Sequence, residues 1–283
     1  MANTERDGVS LYYEQHGETG EPVLLVMGLG GDLHFWEFQT PVFAARHRVV
    51  VYDNRGVGRS GKPKGAYTIA MMADDAVAVL DSAGIRRAHV VGISMGGMIA
   101  QELAIRYPAR VGALVLAATY ARADADAHKV AEEGAARSGV QSPLVMMRGG
   151  GGMDLSGVDI KQLYRFMMAL ILTPEFIARE RDWLRALFQR WKDSGATIEN
   201  FMSQVAAVLD HDATAGLSAV RAPTLVLTGS DDQLVPPRHS TMIHELIPHS
   251  QLITLEGGTH GFNIEMKDRF NQVVLDFLAV HPL

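Results

Sequence analysis

The sequence predicts an α/β fold: a mostly parallel, twisted sheet flanked by helices and interrupted once by a helical insertion. Three observations lead there. Short apolar runs at 22–27 and 111–117 show no polar alternation, the pattern of strands covered on both faces. Stretches of helical spacing lie between the strand-like runs, so strand and helix alternate as in a sheet built with crossover helices. That alternation stops near Tyr120 and resumes only near Ala213, farther than an ordinary connection reaches. The expected organisation is a core of residues 1–119 and 214–283 with a helical cap, or lid, over residues 120–213.

The elements follow in order. Residues 2–6 and 9–16 read as strands joined at Asp7-Gly8, a dipeptide that suits the tight turn of a hairpin. The third strand, at 22–27, ends in the loop Gly28-Leu29-Gly30-Gly31. A fourth, at 48–52, leads into Asp53-Asn54-Arg55-Gly56-Val57-Gly58-Arg59-Ser60. Ile69, Met72, Ala76, Val79 and Leu80 have the spacing of one helix face, and Gly84 stops that helix. Residues 88–91 form a strand that runs into Gly92-Ile93-Ser94-Met95-Gly96-Gly97. The helix after it reaches about Tyr107, where Pro108 ends it. One more strand covers 111–117. The insertion then carries helical segments rich in Met and aromatics. Its clearest helix spans 175–192, with Phe176, Ile177, Trp183, Leu184, Leu187, Phe188 and Trp191 on one face and arginines opposite. The glycine run at 149–152 is a candidate hinge. Strands resume at 224–228 and 251–255, and a last amphipathic helix carries Phe270, Val273, Val274 and Phe277.

Composition narrows the function classes. Of the 283 residues 47% are hydrophobic, enough for a sizeable core. A formal charge of −6 without a basic cluster leaves no footprint for nucleic acid or an anionic membrane surface. The chain has no cysteine, which excludes disulfides, thiol catalysis and thiolate metal sites and agrees with a reducing compartment. The first residues lack the basic-then-apolar form of a signal peptide, and no apolar run approaches a membrane span. A soluble, cytoplasmic protein is expected, with no membrane or nucleic-acid partner. H-E-x-x-H and G-x-x-x-x-G-K-[ST] spacings are missing, and the glycine-rich loop at 28–31 does not have the G-x-G-x-x-G spacing of a phosphate cradle, so no metal and no cofactor are expected. Monomer and homodimer stay equally open.

Chemistry concentrates at Ser94. A G-x-S-x-G sequence between a strand and a helix is a nucleophile elbow, in which a strained backbone pushes the serine hydroxyl out of the sheet. Gly92 and Gly96 keep side chains out of the close approach of strand and helix. A serine hydroxyl needs a base to take its proton, and the base needs a third group to orient it. On an elbow fold these come in the order Ser, acid, His, each on a loop at a strand end. After the strand at 224–228 stands Gly229-Ser230-Asp231-Asp232-Gln233-Leu234-Val235-Pro236. After the strand at 251–255 stands Glu256-Gly257-Gly258-Thr259-His260-Gly261-Phe262. Ester hydrolysis also needs donors for a tetrahedral oxyanion, and the backbone N–H of Met95, next to the nucleophile, is one.

On these pieces the chain resembles the α/β-hydrolases over nearly its full length, in the branch of small esterases and lactonases similar to 3-oxoadipate enol-lactonases. The matching residues are Gly28, the Asp53…Arg55-Gly56…Gly58…Ser60 loop, the elbow, Gly229…Asp232…Pro236, and Gly258-Thr259-His260. The resemblance implies an acid three residues after the loop glycine, which selects Asp232 over Asp231, with His260 as base. It also implies that the N–H of Leu29 is the second oxyanion donor. Many members carry His-Gly before that donor, where this chain has Met27-Gly28. Asp53 and Arg55 are read as an ion pair that holds a loop near the site.

The implied activity is that of a cofactor-independent serine hydrolase acting on a small-molecule ester or lactone through a Ser94–Asp232–His260 triad. Other activities share this framework. Carbon–carbon bond hydrolases use the same triad, but tend to carry Asn or His where Ile93 precedes the nucleophile. Cofactor-free haloperoxidases or perhydrolases share the Ser-Met-Gly-Gly run. Epoxide and haloalkane hydrolases place aspartate at the nucleophile. A ligand-sensing protein with little turnover is the alternative from outside enzymology. Phe166, Met167 and Trp183 are the cap residues to test first for a part in substrate choice, and spacing alone does not tell which of them face the site.

Overall fold

The chain enters as a hairpin. β1 (Ala2–Arg6) and β2 (Val9–His16) pair antiparallel, and Asp7 turns between them with φ of 50°. β3 (Pro22–Val26), β4 (Arg48–Tyr52), β5 (Ala88–Ile93), β6 (Val111–Ala117), β7 (Thr224–Gly229) and β8 (Gln251–Leu255) complete one sheet. Its order is β1-β2-β4-β3-β5-β6-β7-β8. The β1–β2 and β2–β4 pairs are antiparallel; every pair from β4 to β8 is parallel. The structure is a computed structural model that describes residues 2–123 and 160–283. The glycine run at 149–152 lies outside the described residues.

The apolar runs are explained by what covers the sheet. β3, β5, β6 and β7 are buried along their whole length. Side chains alternate between faces, so Leu24 and Val26 join one apolar cluster while Val23 and Leu25 join the other. On the first face α2 (Ile69–Ser82) buries Met72, Ala76, Val79 and Leu80, and α3 (Met95–Arg106) buries Met98, Ile99 and Leu103. On the second, Phe43 of α1 (Thr40–Ala44) packs in the same cluster as Phe270, Val274 and Phe277 of the last helix. Each of the Val, Leu, Ile, Met and Phe side chains among them contributes roughly 1.5–3 kcal/mol by burial.

Between β6 and β7 the described residues hold α4 (Ile160–Ile171), α5 (Pro174–Arg179), α6 (Arg181–Asp193), α7 (Ile198–Leu209) and the short α8 (Thr214–Leu217). The outgoing and returning segments meet: Arg122 and Asp212 form an antiparallel bridge, and the Ala213 N–H donates to the Ala121 carbonyl at 2.8 Å. The sequence reads 175–192 as one helix, but the chain breaks at Glu180 (φ −102°, ψ 32°). Unbroken, a helix would set Glu180 four residues from both Phe176 and Leu184, in the middle of their buried stripe. The break leaves its carboxylate at the surface beside Arg179. After β7 come α9 (Pro237–Leu246), α10 (Phe262–Glu265) and α11 (Lys267–Ala279). Among the described residues no helix is long and apolar enough to cross a membrane.

Candidate active site

Ser94 is the single residue between β5 and α3, and its backbone sits at φ 55°, ψ −123°. A non-glycine residue there costs about 1–3 kcal/mol and persists only where its surroundings hold it. Here the Ser94 N–H donates to the Ala117 carbonyl at 2.9 Å, and its carbonyl accepts from the Gly97 N–H at 2.9 Å and the Thr119 hydroxyl at 2.8 Å. The flanking glycines are sterically required. A Cβ on Gly92 would lie 2.2 Å from the Gly96 carbonyl oxygen, and one on Gly96 only 2.0 Å from that of Val26.

The loops after β7 and β8 bring a carboxylate to an imidazole. Asp232 Oδ1 accepts from the N–H groups of Leu234 at 2.9 Å and Val235 at 2.8 Å, while Oδ2 lies 2.8 Å from His260 Nδ1. Both side chains are buried, with residue exposures of 2% and 5%. Asp231 instead accepts from the Ser230 hydroxyl at the surface. The two loops touch through backbone: the Asp231 N–H donates to the Gly258 carbonyl at 2.9 Å, and a Cβ on Gly229 would meet that same oxygen at 2.1 Å. With Asp232 accepting from Nδ1–H, the lone pair of His260 falls on Nε2.

Ser94 and His260 line one cavity of about 190 Å³. The loop after β3 closes over the serine, since a Cβ on Gly28 would stand 3.1 Å from Ser94 Cβ and 3.6 Å from its Oγ. Leu29, next in the chain, also lines the cavity. The backbone N–H groups of Leu29 and Met95 donate to no group among the described residues. Much of the remaining wall is apolar, with Phe35, Met98, Phe166, Met167, Phe201 and Val205 prominent. Besides Ser94 and His260, the polar side chains on the described wall are Tyr120 and Asn263, and none is a lysine, arginine, aspartate or glutamate.

Of the three insertion residues singled out from sequence, Phe166 and Met167 of α4 face this cavity. Trp183 does not. Its ring packs on Phe38 at 5.4 Å, and its Nε1 donates to Glu37 Oε1. Asn263, buried three residues past the imidazole, escaped the sequence reading. It lines the cavity from the short helix that follows the Gly-Thr-His loop, and proximity to His260 in the chain is the one signal that could have found it.

The Asp53–Arg55 pair expected from sequence is corrected. Arg55 makes a buried bidentate contact with Asp75 of α2, at 2.6 and 2.7 Å. Asp53 accepts from the Arg59 N–H in its own loop at 2.7 Å and from the Leu33 N–H, just past the loop after β3, at 2.8 Å. Its carboxyl is packed so closely against Gly58 that a Cβ there would lie 2.1 Å away. Burial pushes the Asp53 carboxyl up to about 6. The two side chains leave the loop in different directions, and a partner twenty residues downstream takes the arginine.

Residues 21–140 match the family model described as the alpha/beta hydrolase fold. A protein of Azorhizobium caulinodans, provisionally named carbamate hydrolase RutD, is 33% identical over 94% of this chain and 94% of its own length. Among solved structures, the enol-lactonase from Burkholderia xenovorans LB400 superposes with a TM-score of 0.82 at 26% identity, covering 98% of this chain and 100% of that one. A thermophilic esterase from Thermogutta terrifontis gives 0.79 at 27% identity, covering 100% of this chain and 99% of its own.

Proposed function

The chain belongs to the α/β-hydrolase family, and from that premise we propose that it hydrolyses uncharged carboxylic esters or lactones through an acyl-enzyme. Ser94 is the nucleophile, His260 the base and then the acid, and Asp232 the group that orients the imidazole. One observation carries the reading. A strained serine and a carboxylate-backed imidazole line the same cavity, beside two backbone N–H groups that donate to no group among the described residues.

The chemistry follows from that arrangement. Ser94 Oγ attacks the carbonyl carbon while its proton passes to His260 Nε2, and the carbonyl electron pair moves onto oxygen. The N–H groups of Leu29 and Met95 receive that negative charge, and donors held in place by the fold need no reorganisation to do so. Collapse breaks the bond to the leaving alcohol, which takes the proton from His260. Water then repeats the sequence on the acyl-enzyme and frees the acid. For substrate choice, the described wall has no carboxylate, ammonium or guanidinium side chain to balance a substrate charge, and burying an unbalanced charge is costly. Residues 120–213 serve as the cap over a core of 1–119 and 214–283. Through α4 and α7 the cap supplies much of the apolar wall, and each substrate CH₂ it buries gains roughly 0.8 kcal/mol.

Carbamate hydrolysis is the second reading, favoured by the full-length similarity to the Azorhizobium protein. Matched probes separate the two: p-nitrophenyl butyrate against p-nitrophenyl N-propylcarbamate, followed well beyond one equivalent of product. The ester is expected to turn over continuously and faster, and faster carbamate turnover would replace the ester reading. No more than one equivalent from either probe would favour a sensor. Ser94→Ala should lose on the order of 10⁴-fold or more in kcat with an unchanged melting temperature. A variant that keeps a tenth of the wild-type rate would remove Ser94 from its role.

A further inference from the structure

We propose that Gln204 and Trp191 are positioning residues for the oxyanion donor at Leu29, so that the inserted helices help build the reactive site besides covering it. This rests on the reading of Ser94 as nucleophile and of the Leu29 N–H as a donor to the oxyanion.

The residue after Leu29 is held on both of its backbone polar atoms by side chains from the insertion. The Gly30 N–H donates to Gln204 Oε1 of α7 at 2.9 Å, and the Gly30 carbonyl accepts from Trp191 Nε1 of α6 at 3.0 Å. Gln204 is spoken for at its other end as well, since its Nε2 donates to the Arg55 carbonyl at 2.8 Å. The orientation of that amide is therefore dictated by its neighbours: an N–H can only donate and a carbonyl can only accept. Both side chains are inaccessible, Gln204 at 0% and Trp191 at 2% exposure.

The loop from Gly28 to Gly31 has little to hold itself with. Its internal tie is a long one, from the Gly31 N–H to the Gly28 carbonyl at 3.3 Å. That bond orients the peptide plane between Gly28 and Leu29, because a trans peptide directs its C=O and its N–H to opposite sides. The Gln204 bond fixes the next plane, between Leu29 and Gly30, and the Trp191 bond fixes the one after. Three consecutive planes are then set, and the Leu29 N–H is aimed with them. Three glycines in four residues would otherwise leave the loop free to turn that N–H away from the carbonyl. An oxyanion donor is effective only when its direction is set before charge develops.

Polarity at position 204 also needs a reason. A leucine would fill similar space in the core without a buried amide to satisfy. What a leucine could not do is hold the Gly30 N–H and the Arg55 carbonyl, two groups on different core loops.

The test is Gln204→Leu in the whole protein, read on p-nitrophenyl acetate and on its thiono analogue, in which the carbonyl oxygen is sulfur. Sulfur is a weak hydrogen-bond acceptor, so the thionoester draws less on the oxyanion donors. For the oxoester kcat should fall on the order of 10–100-fold, less than the 10²–10³ of losing a donor outright. KM should change little, because the contact is made to the transition state. The thionoester should lose much less, narrowing the gap between the two substrates. A merely structural role would lower both alike. Equal losses, or no loss, overturn the proposal. Trp191→Phe keeps the packed ring and removes only the N–H, so it carries the same test with the same expected sign if Gln204→Leu does not fold. Ser94→Ala keeps the two ideas apart. Turnover that survives it rejects the site itself, whereas an inactive Ser94→Ala alongside equal oxoester and thionoester losses rejects only the brace.

Discussion

Ser94, Asp232 and His260 stand on loops at the ends of β5, β7 and β8, while Phe166, Met167, Phe201 and Val205 reach the same cavity from α4 and α7. The first set is held by backbone. Gly92 lies against Gly96, Gly229 against Gly258, and Asp232 is tied by two main-chain N–H groups. In the second set, Met167, Phe201 and Val205 are held mainly by apolar packing, in or against the large cluster that also contains Tyr164, Leu187 and Trp191, and Phe166 is buried as well. The contrast has a physical basis. Proton transfer needs atoms within a few tenths of an ångström of their place, and only contacts that cannot yield give that. A wall that merely excludes water and adds contact area can be re-cut residue by residue. With the roles proposed above, reactivity and selection are separable over most of the cavity. They join where Gln204 and Trp191 cross from the helical side to the loop at Gly30.

The largest effect that could break this comparison lies on the strand side. In Asp232→Asn the amide oxygen can still accept from Leu234 and Val235, but the NH₂ then faces His260 Nδ1. The imidazole is forced into the tautomer with its proton on Nε2, where it cannot act as base. A loss on the order of 10³–10⁴ in kcat is expected for p-nitrophenyl esters. Asp231→Asn, at the surface beside Ser230, should leave turnover close to wild type. Rate measurements on the pair settle it, and a reversed ranking would move the acid one residue upstream.

A smaller effect sharpens the helical side. Phe166→Ala opens the wall, and the ranking among acyl chains should shift toward longer esters. The relevant scale is about 0.8 kcal/mol, or roughly fourfold in kcat/KM, per CH₂ gained or lost. The acetate ester, too short to reach that wall, should change least. Trp183→Phe is the control, because Trp183 packs on Phe38 away from the cavity, and its ranking should match wild type. A uniform drop across all chain lengths in Phe166→Ala would make α4 a structural support with no part in selection.

Legibility followed the same divide. β3, β5, β6 and β7 were visible because strands covered on both faces cannot hide their apolarity. The elbow was visible because Gly92 and Gly96 answer to backbone geometry, which leaves a fixed spacing in the chain. The helical side was readable as helix but not as direction. Asn200 and Gln204 stand four apart beside the apolar stripe of Phe201 and Val205, so by amphipathic spacing they belong to a solvent face, yet both are buried against core loops. The break at Glu180 depends on which side of the helix meets protein, which spacing alone does not give. Arg55 was assigned to Asp53 by proximity in sequence, and its actual partner, Asp75, was twenty residues away on α2.

The smallest effect tests the seam where the insertion rejoins the core. His211 is buried there, one residue before the Asp212 that bridges Arg122, with its Nε2 3.5 Å from Gln101 Oε1 of α3. Burial pushes its pKa from 6.5 down to about 4. The folded state therefore keeps the ring neutral over a range in which the unfolded chain would protonate it. The sign follows from proton uptake. Stability from this group is fully present above about pH 6.5 and is lost as pH falls toward 4, because the unfolded state binds the extra proton. The ceiling on that loss is on the order of 3 kcal/mol. Asp53 opposes it: with its carboxyl raised to about 6, its term declines as pH rises through that value. The whole-protein profile mixes both with every other carboxylate, so the informative quantity is the difference between wild type and His211→Gln. Melting temperatures taken from pH 7 to pH 4 should show the wild type losing ground to the variant as the pH falls, with kcat at pH 7.5 almost unchanged. Parallel curves would mean that the seam opens to water and leaves His211 with an ordinary affinity for protons. The insertion would then be fastened to the core by its other contacts, among them Gly30, the Asn200 bonds to Pro63 and Tyr67, and the histidine loop, where the Gly261 N–H donates to the Ile171 carbonyl at 2.7 Å.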